Sequence, residues 1–112
     1  MDRYSPGRVL FLGEQDGVVE RKLKAKLVGA CLENCARVRS AYLVRVSYEN
    51  SPGVNVALCV RGDENAATTL VECVGARFRE LFGATQHLDV LFLSEEQLVA
   101  IDRVAKPFYT SA

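Results

Sequence analysis

The feature that most constrains this chain is a pair of alternating segments joined by a turn. Residues 40–49 (SAYLVRVSYE) set Tyr42, Val44, Val46 and Tyr48 on one side and Leu43, Arg45 and Ser47 on the other. That is the period of a strand, and β-branched and aromatic residues dominate it. Asn50-Ser51-Pro52-Gly53 follows, where proline presets its own φ and glycine accepts a positive one, and residues 54–61 (VNVALCVR) alternate again. A β-hairpin is predicted. Two strands alone are marginal in water, so the remaining residues must supply cover for the hairpin.

They do so in a readable order. Residues 8–13 (RVLFLG) form an apolar block ahead of the polar turn Glu14-Gln15-Asp16-Gly17, as a buried strand would. From Val18 to about Cys35, Val19, Leu23, Leu27, Ala30 and Cys31 recur at helical steps while Glu20, Arg21, Lys24 and Glu33 fall on other faces. After the hairpin, Asp63 is offered as a cap, and Ala67, Leu70, Val71, Val74, Phe78, Leu81 and Phe82 keep helical spacing until Gly83. Residues 87–93 (HLDVLFL) form a fourth strand. Ser94-Glu95-Glu96-Gln97 has the pattern of a capping box, and the helix it opens runs to about Ala105, with Pro107 beyond it. The order strand, helix, strand, strand, helix, strand, helix predicts an α+β fold. The arrangement expected is a ferredoxin-like βαββαβ sandwich, a four-stranded antiparallel sheet with an added C-terminal helix and both long helices on one face.

In such a sheet the first and third strands are central. The third then turns Val54, Val56, Leu58 and Val60 to the helices and leaves Asn55, Ala57, Cys59 and Arg61 on the opposite face, beside Leu43, Arg45 and Ser47. That second face is half apolar, and either the third helix or another subunit is expected to cover part of it.

A chain of 112 residues, with 49% hydrophobic and 25% charged, is the size and composition of one globular domain, 1–112. Lysine plus arginine equals aspartate plus glutamate, so no net field draws it onto nucleic acid or an anionic membrane. Arg21, Lys22, Lys24 and Lys26 read as the solvated face of a helix. The apolar run from Val9 to Leu12 is too short for a signal-peptide core or a membrane span, which points to a cytoplasmic protein. Cys31, Cys35, Cys59 and Cys73 are expected as reduced, packed thiols.

Catalytic chemistry is mostly excluded. Cys31 and Cys35 at i, i+4 would give a metal two ligands where three or four are needed. His87 is the sole histidine, and as a base for Ser94 or a cysteine, with Asp89 two residues on, it makes a weak case. The turn of residues 13–17 lies where phosphate loops occur, but its two carboxylates would repel the anion. The third strand lacks the aromatic residues that RNA-binding sheets use for stacking. No catalytic residue, cofactor or metal site is assigned.

Five segments taken together resemble a known family. These are residues 7–14 (GRVLFLGE), 41–48 (AYLVRVSY), 54–58 (VNVAL), 88–93 (LDVLFL) and the ending Lys106-Pro107-Phe108-Tyr109. In order and spacing they are similar to the C-terminal domain of the bacterial SseB family, named for enhanced serine sensitivity, as a stand-alone version. The resemblance spans about residues 7 to 109. It departs at Gln15, where the family often has proline, and at Thr110 and Ser111, where it has basic residues. It implies a bacterial cytoplasmic protein with no established catalytic activity.

The function expected is a non-enzymatic interaction domain, binding another protein or itself as a homodimer. Its surface would be the open sheet face and the tail: Arg45, Arg61, Pro107, Phe108 and Tyr109. Folding of that tail back onto the core is the competing expectation. An immunity protein that neutralises a toxin is a particular form of this reading. The alternative class is a small-ligand domain sensing an amino acid, with Arg45 and Arg61 holding a carboxylate bidentately.

Overall fold

The computed structural model describes residues 9–32, 38–49, 51–63, 65, 67–83 and 88–110. Strand β1 is Val9–Glu14, helix α1 is Val18–Leu27, and a π-helical turn, Val28–Leu32, extends it. The hairpin follows as β2 (Val38–Tyr48) and β3 (Ser51–Gly62), then α2 (Ala67–Phe82), β4 (Asp89–Phe92), α3 (Glu95–Asp102) and β5 (Tyr109–Thr110). Cys35 and His87 lie outside the described residues.

Local chemistry explains the boundaries. Gly53 has φ +95° just after the hairpin turn, a conformation that residues with a Cβ rarely adopt. Asp63 accepts a hydrogen bond from the Asn65 N–H at 2.9 Å ahead of α2, and Gly83, at φ +81°, closes α2 by donating to the Arg79 carbonyl at 2.9 Å. The capping box forms: Gln97 N–H donates to the Ser94 hydroxyl at 3.2 Å, and Ser94 N–H donates to the Gln97 side chain at 3.0 Å.

The fold is α+β, but its sheet is mixed rather than wholly antiparallel. Strand order is β1-β2-β3-β4, with β5 also pairing β2. The β1/β2, β2/β3 and β2/β5 pairs are antiparallel, whereas β3/β4 is parallel, with α2 between them in the chain. The ferredoxin-like arrangement puts the first and third strands in the centre; here β2 and β3 occupy it. The physical reason is burial. Strand β2 is buried on both faces from Ser40 to Val44, while β1 alternates between buried Phe11 and exposed Leu10 and Leu12. A strand apolar on both sides belongs inside the sheet.

Pairing fixes the faces, because residues directly opposite in an antiparallel ladder share one. Leu43 is opposite Leu58 and Ala41 opposite Val60; with Leu23, Leu27, Leu70, Val74 and Val90 they form the core under α1 and α2. Both long helices thus lie on one face, as expected. On the other, Tyr42 is opposite Cys59 and Val44 opposite Ala57, and Ile101 and Ala105 pack on them. Val56, Leu58 and Val60 do turn to the long helices. The neighbours of Ala57 and Cys59, however, are Tyr42 and Val44, not Leu43 and Arg45. The third helix, one of the two covers expected, lies over this face.

Candidate interaction surface

The tail packs as an edge of the sheet. Phe108 N–H donates to the Ala41 carbonyl at 2.9 Å, and Tyr109 and Thr110 pair with Ala41 and Ser40. Pro107, Phe108 and Tyr109 are half-buried, and both aromatic rings rest against the core under α1 and α2. Tail and β1 lie in line along one side of β2, since β1 pairs residues 44–48 and β5 pairs 40 and 41.

Where they meet, the charges of the Gly13-to-Gly17 turn are used. The Lys24 ammonium, its side chain only 11% exposed, lies 3.0 Å from Asp16, 3.5 Å from Glu14 and 5.9 Å over the Phe108 ring. Arg21 adds a second cation 3.3 Å from Asp16. The hydrogen bonds from Arg21 and then Lys24 hold the Asp16 carboxyl below its ordinary range. Glu14 also accepts from the Lys106 N–H at 3.3 Å. The Leu12-Gly13-Glu14 turn and the Pro107-Phe108-Tyr109 ending thus form one clasp.

The two arginines are separated. Arg45 pairs with Val56 and Arg61 with Ser40, positions of opposite parity, so they lie on opposite faces of the sheet. Arg45 extends over β1, where a Cβ at Gly13 would come 3.0 Å from its guanidinium. A bidentate clamp of both on one carboxylate is not formed.

Under α3, the polar groups are engaged. The Tyr42 hydroxyl donates to Asp102 at 2.6 Å and the Tyr48 hydroxyl to Asp89 at 2.7 Å. Burial, then the Asp102 carboxylate, pushes Tyr42 up to about 12. Burial, with Asp89 adding to it, pushes the Cys59 thiol up to about 12. A thiol so protonated is a poor nucleophile at neutral pH. Both groups release their protons less readily folded than unfolded. The stability they contribute is complete below their ordinary values of 9 and 10, and is lost as pH rises towards 12. Alkaline unfolding followed by near-UV circular dichroism should show this decline. Tyr42→Phe should flatten it above pH 10 and, at neutral pH, cost about 1.5–3 kcal/mol, as expected for a hydrogen bond to a charged acceptor. An unchanged alkaline limb in Tyr42→Phe would remove the Asp102 contact from the account.

Cys73 corrects the expectation of reduced thiols. It is disulfide-bonded, its partner outside the described side chains, and Cys59 is a free buried cysteine. Among the described residues no group of three or more His, Cys, Asp or Glu side chains could hold a metal ion. No described helix is long and apolar enough to cross a membrane.

Exposed apolar side chains remain on α1, α2 and α3, and those on the strands lie at the far end of the α1/α2 face. Leu10, opposite Ser47, is 62% exposed, and Val54, one strand further on the same face, is 60% exposed; Leu12 and Arg45 border them. The sequence places Leu10 and Leu12 in a buried apolar strand and turns Val54 to the helices, with Arg45 alone on an open face. Nothing in their alternation showed that α1 and α2 stop short of them.

No family model, no curated protein and no solved structure matches the chain.

Proposed function

We propose that this chain is a non-enzymatic protein-interaction domain of the SseB C-terminal kind, bacterial and cytoplasmic, that binds through the open end of its α1/α2 face. The observation carrying this reading is the exposure of Leu10 and Val54 on a face whose other end is buried by two helices. Exposed apolar side chains that share a face are what a partner desolvates. Engagement of Tyr42, Tyr48 and Cys59 in the packing under α3 supports the non-enzymatic part. The clasp around Phe108 moves the contact surface from the tail to the sheet. Arg45 borders this surface and Arg61 lies across the sheet from it, which favours protein binding over amino-acid sensing.

A photo-crosslinking residue at position 54 tests the reading, with position 99 on α3 as control, Val99 being exposed as well. Adducts in living cells should form from position 54 and not from 99. Equal adducts, or none, would sink the proposal.

A further inference from the structure

We infer that β1 pairs edge to edge with β1 of a second copy, antiparallel, about a twofold axis at Leu10. This rests on the reading of the chain as an interaction domain and adds a second contact, at the sheet edge beside the Leu10 and Val54 surface. Strand β1 ends the sheet order, and no described strand lies on its outer side. Such an edge presents unpaired N–H and C=O groups, which proteins commonly guard with lysine, proline or an inward charge. From Val9 to Gly13, β1 has none of these.

Register selects the axis. Pairing of β1 with β2 is regular from Val9 to Phe11 and slips between Phe11 and Gly13, a bulge that bends the strand and interrupts a ladder. A twofold at Leu10 needs only the regular part. It sets Leu10 opposite the partner's Leu10 on the α1/α2 face. On the other face it sets Val9 opposite the partner's Phe11, and Phe11 opposite the partner's Val9. Every position meets an apolar one, and like faces stay together. A one-residue slip would bring Leu10 against Phe11, whose side chains leave the sheet on opposite sides.

A second copy fits better than an unlike strand because the segment is complementary to itself. The chain's formal charge of zero adds no net repulsion between copies. With three residues from each strand at the seam, the contact is of the small, weak class.

Analytical ultracentrifugation of the full chain from low micromolar to near-millimolar concentration reads the result. The mass should climb towards that of a dimer. Leu10→Lys should raise the dissociation constant at least about tenfold, equivalent to about 1.4 kcal/mol, with an unchanged circular dichroism spectrum because Leu10 is exposed. In Leu10→Cys the two introduced side chains would be direct neighbours, roughly 5 Å apart at Cβ, and should cross-link on mild oxidation where the wild type does not. A monomer at every concentration, a dimer indifferent to Leu10→Lys, or a dimer without the position-10 cross-link would each overturn the inference. None of these touches the broader reading, which stands or falls on the crosslinks at position 54.

Discussion

Leu43→Ala is expected to lower the unfolding free energy by about 2–5 kcal/mol, the range for truncating a buried leucine. Leu43 sits mid-strand in β2, is 1% exposed, and faces Leu58 across the ladder in the core that also holds Leu23, Leu27 and Leu70. Helices close that side and β3 flanks it, so little can collapse into the space left behind. For a domain of this size the melting temperature should fall by roughly 10–20 °C. Leu10→Ala, on an exposed side chain of the same face, should stay within about 0.5 kcal/mol of wild type. Equal effects for the two would mean that β2 has been assigned to the wrong register.

Breaking the Cys73 disulfide is expected to cost about 2–4 kcal/mol, through the freedom the unfolded chain regains. A reductant such as TCEP should lower the melting temperature of the wild type. Cys73→Ala should melt at the lower temperature with or without it. Cys59→Ala should keep the reductant response, since Cys59 is free. A wild type indifferent to reductant would show that the bond does not carry stability. Alkylation of acid-quenched cells reads the same bond in its setting. Full oxidation there would move the protein out of the cytoplasm proposed for it, because disulfides persist in oxidising compartments.

Local punctuation was legible in the sequence. Gly83 and the Ser94–Gln97 box mark helix ends by chemistry confined to a few residues, and each does what its type predicts, whereas Asp63 bonds the Asn65 N–H ahead of α2. The hairpin was legible too, since its alternation and turn are adjacent in the chain. What failed was non-local. Alternation says which side chains of β2 share a face, but Tyr42, Val44 and Val46 on one side and Ala41 and Leu43 on the other are all apolar. Neither set announces which meets α1, and a shift of one residue exchanges every neighbour.

The interaction surface suffered for the same reason. Arg45 and Arg61 lie on opposite faces because Arg61 is opposite Ser40, and Phe108 is a clasp residue because Lys24 lies over its ring. The co-occurrence of an acidic turn and an aromatic tail was visible. That they touch was not, because Glu14 and Lys106 are separated by 92 positions. The open end at Leu10 and Val54 depends on where two helices stop, which no pattern within β1 or β3 records.

The collinear placement of β1 and β5 has a mechanical consequence. Both run antiparallel to β2 along one side, with Val9 beside Tyr48 at one end and Thr110 beside Ser40 at the other. At about 3.3 Å per residue those ends are roughly 26 Å apart. Tension applied between them would pull β1 and β5 lengthwise against β2, so the ladder bonds of each strand share the load instead of opening one after another. The two-residue β5 would slip first, and Phe108 would leave the Lys24 ammonium while β1 still held.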